Sequence, residues 1–399
     1  ARRRSDDRLA RNARLAARAA HLQADRVPPT RVKVHLCGDG GAGKTTLSSA
    51  LRASALGSLF RSSREHAADR PELAEERTRG IAIKYDCFDG RGFSFWDYGG
   101  QPEFHLGHHD HLRAESGLSI HLVVVSLELP PAARAEQLRY WLRFLRACLP
   151  LGRQPVVALI GSRADKARNA GRAVEALRTA GEEGCAAFAL NCRSYLSVKA
   201  LRAWLVEQHD RLVAAAEPVP RVCKAISELR ATVWCNRRSD APVLLGWGEF
   251  CRRCREEVLL PVREGGKVRV LAQAEDGLLR TAARYLHDAG EIIALDRGGA
   301  ADLVVLDPTW LCSRIVGELI APEWLQRESR RGVRKYLLSV REIGECIAEP
   351  TTDFGAGVDD AWLSLAELLS ELGLCFRCDA APRAPATAAT SAELGRASR

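Results

Sequence analysis

The stretch Gly38-Asp39-Gly40-Gly41-Ala42-Gly43-Lys44-Thr45 stands between an apolar run, Val32 to Cys37, and a helix-forming segment, Thr46 to Leu56. A glycine-rich turn between strand and helix reads as a phosphate-binding loop in an α/β sheet. A nucleotide's phosphates need a concave row of backbone N–H groups, and glycines let the backbone bend and approach closely enough to supply it. The helix that starts at Lys44, with Thr46 in its first turn, adds its positive dipole end. In this pattern Lys44 reaches the β- and γ-phosphates, and the hydroxyl of Thr45 is a ligand for Mg²⁺.

From Arg31 to about Ala216, apolar runs alternate with helical patterns. The runs Val32 to Cys37, Ile81 to Cys87, Phe93 to Trp96, Ile120 to Val125, Val156 to Ile160 and Ala186 to Leu190 predict about six strands. Helices expected over Ala133 to Leu149, Ala170 to Gly181 and Ser197 to Ala215 supply the crossovers of a mostly parallel sheet covered on both faces. Asp89-Gly90-Arg91-Gly92 is too short for a crossover and predicts an antiparallel hairpin. Residues 1–30 read as a basic connecting helix closed by Pro28-Pro29, and Glu217-Pro218-Val219-Pro220 as a linker. A second domain is expected over 221–379, mainly helical. Its helix from Leu278 to Ala289, followed by a hairpin around Asp296-Arg297-Gly298-Gly299, suggests a winged-helix-like part. Residues 380–399 are mostly Ala, Pro, Ser, Thr and Arg, a composition that predicts disorder.

Three further segments extend the nucleotide site. In Phe95-Trp96-Asp97-Tyr98-Gly99-Gly100-Gln101, Asp97 is placed to hold Mg²⁺ through water, the Gly100 N–H to meet the γ-phosphate, and Gln101 to orient an attacking water. The polar loop from Gly57 to Gly80 ends in Thr78, a candidate second Mg²⁺ ligand that would let go when the γ-phosphate leaves. After the fifth strand, Ser162-Arg163-Ala164-Asp165-Lys166 offers the Asp165 carboxylate to guanine N1–H and N2–H₂, a donor pair that adenine lacks. Lys166 or the stem of Arg163 would cover the base, and Asn191 and Cys192 would approach it from the other side.

The formal charge of +9 invites a nucleic-acid reading. Yet 51 of the 59 basic residues are Arg, spread along the chain without interleaved aromatics, and the bias fits a GC-rich coding sequence better. No apolar run is long enough to cross a bilayer, so a cytoplasmic chain without a membrane span is expected. The absence of methionine, even at position 1, suggests a segment of a longer protein. Cys251 with Cys254, and Cys375 with Cys378, are spaced like half zinc sites, but no histidines stand at ligand spacing, which favours core cysteines. His105, His108, His109 and His111 would spread around a helix rather than converge on a metal.

With these residues in view, the chain resembles the Roc-COR (ROCO) family. The likeness is carried by Gly38 to Thr45, Thr78 to Ile81, Trp96 to Gln101, Tyr285 to Gly290 and Val305 to Leu311. The stretches Gln137 to Pro150 and Leu303 to Leu319 look most like the branch of that family found in death-associated protein kinases. The resemblance implies a Ras-like GTPase domain (Roc, 31–216) fused to a COR domain (221–379) that mediates homodimerisation. Repeats and sometimes a kinase adjoin such a unit in a longer chain, and no kinase signature is present here. It further implies GTP and GDP as ligands, Mg²⁺ as cofactor, and Gln101 and Lys44 as catalytic residues of a slow signalling switch. Ser162-Arg163 departs from the family's usual residues at the base loop, so a P-loop ATPase and a nucleotide-stabilised scaffold stay open as alternatives.

Overall fold

The computed structural model describes residues 26–52, 81–99, 118–148, 155–181, 184–234, 244–259, 272–295 and 302–316, with positions 366, 369 and 370. A short strand, β1 (Arg26–Val27), leads into six that form the principal sheet: β2 (Arg31–Cys37), β3 (Ile81–Phe88), β4 (Arg91–Tyr98), β5 (Ser119–Ser126), β6 (Val156–Ser162) and β7 (Ala186–Ala189). Their order is β3-β4-β2-β5-β6-β7. All pairings are parallel except β3 with β4. That pair turns at Asp89 and Gly90, both in the left-handed region (φ 52° and 74°), which matches the twist of a tight hairpin. Every residue of β5 is buried, as expected for a strand with both faces covered.

The helices α1 (Lys44–Arg52) and α4 (Tyr195–Ala215) cover one face of the sheet, and α2 (Pro131–Cys148) and α3 (Ala170–Ala180) cover the other. Alternation along β4 divides its side chains between them. Phe93 and Phe95 join the α1/α4 core, while Trp96 and Tyr98 join the α2/α3 core. The six strands, the hairpin and the three helices therefore stand where the apolar pattern puts them, with one correction: α2 and α3 are crossovers between parallel strands, whereas α4 follows the last strand, β7, and only covers the sheet.

Beyond β8 (Val219–Pro220) the chain forms α5 (Arg221–Leu229), β9 (Leu244–Gly246), α6 (Trp247–Arg253), α7 (Ala272–Asp288), β10 (Ile293–Leu295) and β11 (Leu303–Val305). The helix α7 with the hairpin β10–β11 meets the winged-helix-like expectation. A third strand, β9, joins the hairpin in the order β10-β11-β9; at three residues it was too short to betray itself by alternation. The helix α6 keeps α geometry to Arg253 and continues as a π-helical turn, Cys254–Leu259. Cys251 and Cys254 are buried, and burial pushes both thiols up, Cys251 to about 11, so they are neutral core residues. Cys375 and Cys378 lie outside the described residues.

Two boundary expectations need correction. The basic segment is not helical at Arg26–Val27, which pairs antiparallel with Val219–Pro220 of the expected linker. The residue before a proline is pushed towards extended geometry, and Pro28 and Pro220 suit the edges of such a ribbon. The rest of the basic segment, and the tail 380–399, lie outside the described residues. Among the described residues no helix is long and apolar enough to cross a membrane.

The second unit docks on the α2/α3 face of the sheet, over β3 and β4, through the C-terminal cap of α7. Gly290 is left-handed (φ 73°). Its N–H donates to the His287 carbonyl and the Glu291 N–H to the Leu286 carbonyl, a Schellman motif that satisfies the helix end. The carbonyls this cap leaves over accept from the sheet: Ala289 from Ser94 Oγ at 3.0 Å and Gly290 from Tyr85 Oη at 2.9 Å. The buried Glu291 carboxylate accepts from Arg31 Nε of β2 at 2.9 Å and from the Ser227 hydroxyl, with Arg230 Nε at 3.7 Å. Further along β3, the Ile83 and Ile81 carbonyls accept from Thr309 Oγ1 (3.4 Å) and Ser313 Oγ (2.6 Å).

Candidate nucleotide site

The glycine loop joins the carboxyl end of the interior strand β2 to α1, on the side of the sheet where open α/β folds bind their ligands. Gly41 and Gly43 have φ of 77° and 94°, which glycine adopts without strain, and the Ala42 N–H between them closes a turn on the Asp39 carbonyl at 3.2 Å. Lys44 is buried, and its Nζ donates to the Gly38 carbonyl at 2.6 Å and the Asp39 carbonyl at 3.0 Å. Burial lowers its pKa, and the nearby Asp97 carboxylate pulls the other way. A phosphate is the kind of partner that would restore full charge to such a lysine.

Thr45, in the first turn of α1, donates from Oγ1 to Asp97 Oδ2 at 2.5 Å. Asp97 is the penultimate residue of β4 and is buried. A hydroxyl and a carboxylate are hard oxygen donors of the type Mg²⁺ takes, and here they meet next to Lys44. The donor set fits Mg²⁺. Gly100, Gln101 and Thr78, the remaining members of the predicted phosphate and metal machinery, lie outside the described residues, as do the four histidines from His105 to His111.

Next to the phosphate loop, the predicted base loop is tied to it by two consecutive side chains. Ser162 Oγ donates to the Ala42 carbonyl at 2.6 Å, and Arg163 Nη2 donates to the Gly41 carbonyl at 2.8 Å. Arg163 is left-handed (φ 55°), which aims its side chain back across the loop, where Nη1 also meets Glu128. Lys166 Nζ reaches the same carboxylate at 3.2 Å, and the two cations hold Glu128 below the usual carboxylate range. The guanidinium of Arg163 is thus engaged with Gly41 and Glu128, leaving its stem alone to line a base.

Asp165 is exposed in the 3₁₀ turn Ala164–Lys166. The second base segment is anchored alongside: the Leu190 N–H donates to the Gly161 carbonyl at 2.8 Å and the Ala164 N–H to the Leu190 carbonyl at 3.1 Å. Asn191 accepts through Oδ1 from the Arg193 N–H at 3.0 Å, and its own N–H donates to Ser197 Oγ at 2.9 Å. Cys192 is buried, with its thiol pushed up to about 11. Both predicted base segments therefore stand at the sheet end that carries the glycine loop.

Sequence reasoning did not single out Glu128 or Trp141. Trp141 of α2 is buried, and its Nε1 donates to Asp39 Oδ1 at 2.8 Å. Its helical spacing with Leu138 and Leu145 marks it as core, and nothing in the pattern reveals the hydrogen bond.

No model of a known protein family matches the chain. Protein TORNADO 1 of Arabidopsis thaliana is 24% identical over 397 residues, covering 88% of this chain and 27% of that protein. Death-associated protein kinase dapk-1 of Caenorhabditis elegans is 24% identical over 287 residues, 64% of this chain and 19% of that one. The chain thus spans about a quarter or less of the length of these relatives. Among solved structures, the Methanosarcina barkeri Roco2 RocCORdC structure, bound to GDP, superposes with a TM-score of 0.53 at 19% identity. The match covers 89% of this chain and 94% of that one. At that identity the likeness is one of fold: a Ras-like G domain followed by a COR unit.

Proposed function

We propose that this Roc-COR fold is a guanine-nucleotide switch: it binds GTP or GDP with Mg²⁺, hydrolyses GTP slowly, and passes the nucleotide state to the COR unit and to a homodimer formed through it. The observation that carries the reading is the convergence of Lys44, Thr45 and Asp97 at the mouth of a glycine loop. It supplies a cation for the phosphates and a hard-oxygen pair for the metal in one place. Thr45 and Asp97 would hold Mg²⁺ there, and the ion would supply positive charge against the negative charge that grows during phosphoryl transfer.

The protein's own groups have separable roles in this reading. The loop from Gly38 to Gly43 and the start of α1 at Thr46 hold the phosphates through backbone N–H groups, and Lys44 leaves its carbonyl partners for the β- and γ-oxygens. Thr78 adds a second metal oxygen, the Gly100 N–H senses the γ-phosphate, and Gln101 orients water for in-line attack. Asp165 selects guanine, while Ser162 and Arg163 act by bracing the phosphate loop, with Asn191 and Cys192 at the far side of the base. Readout follows from position, since the α7 cap rests on Trp96, the neighbour of Asp97 in β4. Membership of a longer signalling protein with repeats or a kinase accords with the partial coverage of both relatives.

Isothermal titration with GTP, GDP and ATP in Mg²⁺ tests the binding. Micromolar or tighter GTP and GDP with little ATP binding is expected. Equal or tighter ATP binding overturns the guanine assignment in favour of an ATPase, and binding of none of the three leaves a scaffold. Single-turnover hydrolysis is expected to slow by at least tenfold in Gln101→Leu, and an unchanged rate removes Gln101 from the mechanism.

A further inference from the structure

An aspartate inside a phosphate-binding loop poses an electrostatic problem. Asp39 is the second residue of the glycine loop, its backbone carbonyl accepts from Lys44 Nζ, and a triphosphate brings several negative charges to the same loop. A carboxylate free to turn towards them would repel them. Here Asp39 Oδ1 accepts from the indole N–H of Trp141 at 2.8 Å. Trp141 is fully buried in the core of α2, packed edge-on to Phe144 at 5.7 Å between centroids, so the donor is fixed in direction.

We infer that Trp141 is a positioning residue for nucleotide: it holds the Asp39 carboxylate on the α2 side of the loop and so keeps a negative charge away from the phosphates. The inference rests on the nucleotide-switch reading above and adds to it a residue that selects loop geometry without touching ligand. Removal of the donor releases the carboxylate. Repulsion then scales with ligand charge, so the triphosphate loses more affinity than the diphosphate. Removal of the carboxylate's charge cancels the loss, because nothing remains to be held.

The test is a cycle on the full chain with Mg²⁺ and GDP or a non-hydrolysable GTP analogue. Trp141→Phe is expected to weaken the GTP analogue about tenfold and GDP about threefold. Asp39→Asn placed in the Trp141→Phe background is expected to restore most of the loss for both. Unchanged affinity in Trp141→Phe overturns the inference. So does an equal loss for both nucleotides that Asp39→Asn fails to rescue, which is the behaviour of a merely structural tryptophan.

If Trp141→Phe does not fold, benzothienylalanine at position 141 keeps the ring volume and removes the N–H, and the same outcomes apply. A wild-type chain that binds neither nucleotide sinks the switch reading itself. A wild-type chain that binds while the cycle stays flat sinks only the role of Trp141.

Discussion

Replacing Gly290 by alanine probes the joint between the two units. At φ 73° a Cβ is strained, and it would lie 2.7 Å from both Cζ2 and Nε1 of Trp96 and 2.9 Å from Cε of Lys33. The left-handed backbone costs about 1–2 kcal/mol for a non-glycine residue. Overpacking against a buried indole adds about 1–3 kcal/mol, because Trp96 is fully packed, with the Lys33 ammonium 4.6 Å from its ring. The loss of glycine freedom in the unfolded chain returns about 0.4–1 kcal/mol. The net expectation is destabilisation of about 1–5 kcal/mol, concentrated at the joint.

Urea unfolding gives the magnitude, and native-state hydrogen exchange gives the place. Amides of β3, β4 and the end of α7 should lose protection before those of β5 and β6. Trp96→Phe in the same chain removes the atoms that the new methyl meets and should return part of the loss. A Gly290→Ala protein within about 0.5 kcal/mol of wild type would refute both the strain and the close approach.

The joint should also respond to acid and to charge removal. Burial pushes His287 down to about 4 and His121 to about 3, and Nδ1 of His287 accepts from the Ala294 N–H, which requires the neutral ring. The unfolded chain therefore takes up protons near pH 6.5 that the native chain refuses. Stability should fall as pH drops from 6.5 towards 4, by about 1.4 kcal/mol per unit for each ring, with His287→Gln removing its share of the slope in urea titrations. Glu291→Ala leaves the Arg31 and Arg230 guanidinium groups at the joint without their shared carboxylate. It should cost about 3–5 kcal/mol, and an effect below 1 kcal/mol by the same method would contradict the assignment of this buried ion pair.

The order of strands and helices in the principal sheet was legible because burial imposes period: apolar runs such as Leu122 to Val125 and the apolar spacing of α2 have no other good use. The glycine loop between β2 and α1 was legible because an apolar run, a glycine cluster and a helix-forming segment follow one another there. What could not be read were contacts between residues far apart in sequence. The Arg163 bond to Gly41 depends on a left-handed residue, the Trp141 bond to Asp39 on how α2 leans over the loop, and the Glu291 cluster on a meeting of β2, α5 and the α7 cap. No local pattern encodes these. The three-residue strand β9 escaped for a related reason, since it exists only because β11 pairs with it.

The ribbon of Arg26–Val27 with Val219–Pro220, reinforced by Arg26 Nη1 on the Pro218 carbonyl at 3.1 Å, has a mechanical meaning. It draws the entrance and the exit of the G domain to within one strand spacing, about 5 Å, whatever happens inside. Pro220 is also the N-cap of α5, so a neighbour attached ahead of Arg26 would pull or twist directly on the first helix of the second unit. Strain at that entrance would then reach the second unit through this clasp, apart from the contacts that β3 and β4 make with the α7 cap.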